Sequence, residues 1–200
     1  SNLGVIYKNS GRYKEAIGVY KRAISSNPKF AEAYTNLGNL LKDLGKLDQA
    51  LACTLKSIEL KPEASKALYS LGTIKMALGE TQEAKKYLLY SIKSNPQEYG
   101  AYFELSRILN TTEEAVELID SIASAKPPEG IPLYRSLIEF AISNCFHKVK
   151  NYAHASKHLK LANKYKLIEF PSNAKSRQQE ITNNLPHFNS PETTTINTES

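Results

Sequence analysis

Ala31-Glu-Ala-Tyr34-Thr-Asn-Leu37-Gly38-Asn-Leu-Leu41-Lys-Asp-Leu-Gly45, continued by Lys-Leu47-Asp-Gln-Ala50-Leu-Ala-Cys-Thr54-Leu-Lys-Ser-Ile58-Glu-Leu-Lys-Pro62, reads as two helices around one stop. Tyr34, Leu37, Gly38 and Leu41 fall at helical spacing, so the first segment carries an apolar stripe along one side. Gly45 ends it. Leu47, Ala50, Leu51, Thr54, Leu55 and Ile58 mark a second stripe, and Pro62 closes the unit because proline lacks the amide donor and disfavours helix in the residue before it. Gly38 and Ala50 are small where two helices crossing at close range leave no room for a branched side chain. Such a hairpin cannot bury both of its faces alone.

Outward from this unit the same residues recur every 34 positions. Leu-Gly pairs stand at Leu3-Gly4, Leu37-Gly38 and Leu71-Gly72. Gly11, Gly45 and Gly79 repeat the stop, Ala16, Ala50 and Ala84 the small position of the second helix, and Pro28, Pro62 and Pro96 the close. A period of this length with small residues at fixed places predicts stacked two-helix units whose neighbours bury what each leaves open.

The run Ala31 to Gly38 with Leu41, Gly45, Ala50 and Pro62 resembles the tetratricopeptide repeat (TPR) consensus. The resemblance implies an all-α fold, a right-handed α-α superhelix of about five helical hairpins. Copies are expected at 1–30, 31–64 and 65–98. A degenerate fourth at 99–129 keeps Tyr102, Leu105, Ala115, Ile119 and Pro127 but lacks the glycine turn; Thr111-Thr-Glu-Glu114 there reads as a capping box. A fifth at 131–167 has an elongated first helix that Pro132 would start and that would run to about Lys148. A helix at 172–185 is expected to cap the open end, followed by a polar linker or disordered tail at 186–200.

Composition fits a solenoid and narrows function. The 200 residues are 41% hydrophobic, and no run of eighteen apolar residues suggests a membrane span. Without a recognisable secretory signal, Cys53 and Cys145 are expected as buried, unpaired thiols in a reducing cytoplasm. The formal charge of +6 is concentrated late: residues 131–190 hold 9 Lys and Arg against 3 acids. Lys148, Lys150, Lys157, Lys160, Lys164 and Lys166 could make a basic surface for nucleic acid, the third of three readings, against the simpler one of a solvated helix face.

No catalytic pattern emerges. Six of the nine glycines belong to the repeat grid, and the other three build neither a phosphate loop nor a dinucleotide fingerprint, so no cofactor is expected. His154 and His158 have the spacing of a metal-binding pair, but their helix supplies no third ligand and no metal is expected. No nucleophile elbow is present.

Binding is the better expectation. In such an array the first helices line the concave side, and residues not needed for packing can meet a protein partner or an extended peptide. These are Asn2, Thr35, Asn36, Asn39, Lys66, Tyr69, Thr73, Phe103 and Arg107. Asn2 and Asn36 share one place in consecutive repeats, resembling the asparagine ladder of protein-glycosylating transferases, which Ser70 and Glu104 interrupt. The chaperone carboxylate clamp of some TPR domains is matched only at Asn36 and Lys66, so docking of that type is not expected.

Leu137 to Ile142 with Lys150 to Asn163 resembles the last repeat before the catalytic domain of bacterial TPR-sulfotransferases. That resemblance implies the alternative of a substrate-recognition arm. The sulfonate-donor loop is absent from this chain, so no transfer chemistry is assigned to it. Asn2-Leu3-Gly4 falls inside a first helix and the far end has linker composition, so an internal piece of a longer polypeptide is expected.

Overall fold

The computed structural model describes residues 2–125 and 130–170, and these contain ten α-helices and no strand. The expected capping helix at 172–185, the tail at 186–200 and Pro127 lie outside the described residues. The helices pair in chain order: α1 (Asn2–Asn9) with α2 (Tyr13–Ser26), α3 (Ala31–Asp43) with α4 (Leu47–Leu60), and α5 (Ser65–Ala77) with α6 (Thr81–Ser94). After them come α7 (Tyr99–Arg107), α8 (Thr112–Ala125), α9 (Pro132–Lys148) and α10 (Tyr152–Glu169). Each second helix packs on the next first helix, so the hairpins stack into a solenoid.

The stop between paired helices is one backbone device used four times. Gly45 adopts φ +73°, its N–H donates to the Lys42 carbonyl, and the Lys46 N–H donates to that of Leu41. Gly11 (φ +72°) and Gly79 (φ +78°) do the same. In the last hairpin the position is held by Lys150, at φ 61°, with its N–H on His147 and that of Asn151 on Phe146. Glycine enters this left-handed region without steric cost; a lysine must be held there by its surroundings.

The fourth hairpin departs from the pattern for a local reason. α7 has 9 residues where α3 and α5 have 13, so its last turn is missing. Without a glycine stop, α8 starts from its own cap: Thr111 Oγ1 accepts from the Glu114 N–H at 3.2 Å, and the Glu114 carboxylate accepts from the Asn110 N–H at 2.9 Å. α7 packs extensively along α9, which has 17 residues. One apolar cluster, built on Tyr102, Leu105, Ile122 and Ile138, fills this half; another, on Tyr20, Leu40 and Ile74, fills the first. Among the described residues no helix is long and apolar enough to cross a membrane.

Candidate functional site

A groove of about 470 Å³ runs across the starts of α1, α3 and α5. Asn2, Val5, Thr35, Asn36 and Lys66 come from those first helices, and Ser57, Lys61, Glu63, Ser94 and Asn95 from the ends of the second helices and the connection after α4. The floor is built by repeat geometry. Ser57, fully buried on α4, donates its hydroxyl to the Ala31 carbonyl at 2.8 Å, and Ser91, one repeat later, donates to the Ser65 carbonyl at 2.9 Å. Each serine thereby fixes the first turn of the helix it packs against. Sequence reasoning missed both, although their 34-residue spacing was readable.

The structure brings Asn2, Thr35, Asn36 and Lys66 together in this groove, four of the nine residues expected on the binding face. Thr35 differs from the expectation in one respect: it is 7% exposed, with its hydroxyl 2.7 Å from that of Ser57. Its role in the groove is to hold the floor. Thr73 is likewise buried; it donates to the Ser70 carbonyl and accepts from Lys42 Nζ at 3.2 Å, which commits its proton within the protein. Asn39 is half-buried on α3.

The other three members lie further along. Tyr69 is half-buried beside Gly100, where a Cβ would stand 3.0 Å from its ring; burial, then the nearby Glu104, Glu98 and Asp43, push its phenol up to about 12. Phe103 is tilted against Phe140 of α9, ring centroids 6.0 Å apart, and the Arg107 guanidinium lies 5.7 Å from the Phe103 centroid while pairing with Glu104 at 2.6 Å. Phe140 was not legible on the 34-residue grid, because the longer fifth unit shifts it to 37 residues after Phe103. The first-helix face is therefore polar at its amino-terminal end and aromatic with cations at the other.

The two histidines are engaged separately. His158 Nδ1 lies 2.6 Å from the buried Glu139 of α9, while His154 Nδ1 lies 3.0 Å from Asn151 Oδ1 at the start of its own helix. Among the described residues no group of three His, Cys, Asp or Glu side chains could hold a metal ion. Cys145 is buried and Cys53 only half-buried, which corrects the expectation of two buried thiols.

Comparison with protein families identifies the first three hairpins. The family described as TPR repeat matches residues 4–45, and those described as tetratricopeptide repeat match 31–63 and 65–98. These hairpins are tetratricopeptide repeats. Solved structures with the same fold include a crystal structure of MamA, 23% identical with TM-score 0.60, covering 84% of this chain and 97% of that one. A second MamA crystal structure is 23% identical with TM-score 0.58, covering 84% and 92%. The first TPR of Spaghetti (RPAP3), bound to the HSP90 peptide SRMEEVD, is 24% identical with TM-score 0.50, covering 61% and 89%. At such identities the likeness is one of fold. No curated protein matches the chain.

Proposed function

We propose that this TPR array is a non-catalytic scaffold that binds an extended segment of a partner protein across its first helices. The observation that carries the reading is the groove where Asn2, Asn36 and Lys66 from three consecutive repeats converge above a floor fixed by Ser57. Amide side chains offer a donor and an acceptor together, which suits the main chain of a peptide whatever its side chains. The RPAP3 structure, which holds a peptide on the same fold, supports the reading by analogy.

The test is a selection of peptides from a displayed random library against the full chain, followed by titration of the selected peptides into Asn36→Ala and Lys66→Ala variants whose helicity is unchanged. Binding weakened by about tenfold or more supports the groove. Peptides that bind both variants as tightly as the parent refute it.

A second reading, the recognition arm of a sulfotransferase, is favoured by the stretch Lys150 to Asn163, which runs from the turn before α10 through the middle of that helix. It predicts that a sulfonate-donor loop is encoded downstream of Ser200; a coding sequence without one removes it.

A further inference from the structure

We infer that a second copy of this chain docks through two stripes of opposite charge, one on α8 and one on α10. Glu113, Glu117 and Asp120 are all exposed on α8 and stand four and then three residues apart, so they share one side of the helix. Lys157, Lys160 and Lys164 are all exposed on α10 and stand three and then four residues apart, again on one side. None of these six side chains forms an ion pair with another described residue. Glu114, off the stripe, is paired with Lys85, and Glu113 accepts from the Thr112 hydroxyl at 3.0 Å while remaining exposed.

The spacings match in only one direction. Laid antiparallel, α8 of one copy and α10 of the next place Glu113 opposite Lys164, Glu117 opposite Lys160 and Asp120 opposite Lys157 in a single register. In a parallel arrangement the four-three and three-four intervals fall out of step at the middle pair. Val116, which is 50% exposed, flanks the acidic stripe, and Leu161 flanks the basic one. Leu161 is half-buried and, with Ala153 and Ser156, lines a shallow groove of about 420 Å³ that the three lysines border. Three carboxylates held on one helix face at the intervals of the three lysines make a copy of this chain a better fit than a polyanion, whose charges are not fixed to that spacing.

The experiment is sedimentation velocity of the full chain at about 200 µM, a concentration suited to a small interface, in about 20 mM and about 500 mM salt. The parent is expected to self-associate at low salt, with the association constant falling by about tenfold or more at high salt. Lys157→Glu/Lys160→Glu/Lys164→Glu and Glu113→Lys/Glu117→Lys/Asp120→Lys should each sediment as monomers. An equimolar mixture of the two, and the sixfold variant carrying all these changes, should associate again, since opposite charges are restored. A parent that stays monomeric at low salt overturns the inference, as does association that the reversals leave untouched. A lysine-dependent gel shift of a single-stranded oligonucleotide by a chain that remains monomeric would overturn it in favour of nucleic acid. The groove of α1, α3 and α5 takes no part in this docking, so either result leaves peptide binding to its own test.

Discussion

Gly38 of α3 lies so close to Thr54 of α4 that a Cβ added to the glycine would stand 2.5 Å from the threonine hydroxyl and 3.2 Å from the Ala50 carbonyl. The same crossing recurs with different partners: a Cβ on Gly72 would meet the Leu88 side chain at 2.8 Å, and one on Gly4 the Tyr20 ring at 2.4 Å. The glycine is constant along the grid because backbone proximity sets it. The facing residue varies because it has only to fill the remaining volume.

Gly38→Ala should therefore destabilise the chain, although alanine is the better helix former by about 1 kcal/mol. The overlap outweighs that preference, because the Ala50 carbonyl is backbone and cannot swing aside. A net loss of about 1–3 kcal/mol is expected in urea denaturation. In a Thr54→Ala background the loss should shrink, since the nearest atom is gone. An equal loss in both backgrounds would show that the Thr54 contact is not the cause.

Thr54 carries a second consequence. Its hydroxyl is buried and has no hydrogen-bond partner among the described residues. A buried polar group without a partner costs about 1–3 kcal/mol, and valine has nearly the same shape. Thr54→Val should raise the melting temperature, with a gain of about 1 kcal/mol in chemical denaturation. A lower melting temperature would mean that the hydroxyl is solvated or bonded in solution.

Lys150 occupies the place that Gly11, Gly45 and Gly79 hold in the earlier repeats, at φ 61°. The left-handed conformation costs a side-chain-bearing residue about 1 kcal/mol, which glycine avoids. Lys150→Gly is expected to stabilise the last hairpin by about 0.5–1 kcal/mol, the saving being partly offset by glycine's larger entropy in the unfolded chain. Lys150→Ala keeps the strain and serves as the control: it should give no gain. Thermal denaturation of the two variants beside the parent separates these outcomes.

This lysine also shows where sequence reading stopped. Hairpins with a regular crossing and a glycine stop were legible, because each requirement forces one residue type at one spacing: Gly38 at the crossing, Gly45 at the stop, Pro62 at the close. Lys150 satisfies the same backbone requirement with a residue that does not advertise it. The candidate groove was legible only on its first-helix side, at Asn2, Asn36 and Lys66. Its other wall, with Ser57, Lys61 and Ser94, comes from helix ends and a connection, which take no part in the apolar stripe from which the repeats were read. Thr35 and Thr73 occupy first-helix positions suited to a ligand, but bonds to Ser57 and Lys42 across neighbouring helices claim their hydroxyls. Those partners lie 22 and 31 residues away, beyond the reach of a local pattern.

Cys145 and Cys53 should differ in reactivity. Burial pushes the Cys145 thiol up to about 12, and it raises that of the half-buried Cys53 too, against which the Lys21 charge acts. Because the thiolate is the reacting species, a maleimide or disulfide reagent at pH 8 should label Cys53 first and reach Cys145 only when the second half of the array opens. The same shift links stability to pH. An unfolded cysteine ionises near about 8.5, while the folded Cys145 resists ionisation until about 12, so above pH 8.5 the unfolded state gains and stability falls as pH rises. Below that value both states hold the proton and this contribution is fully present. In Cys145→Ala the alkaline decline between about pH 8.5 and 10 should be shallower than in the parent, measured as the denaturation midpoint across pH. Equal slopes for the two proteins, or labelling of Cys145 as fast as Cys53 under native conditions, would show that the thiol is open to water.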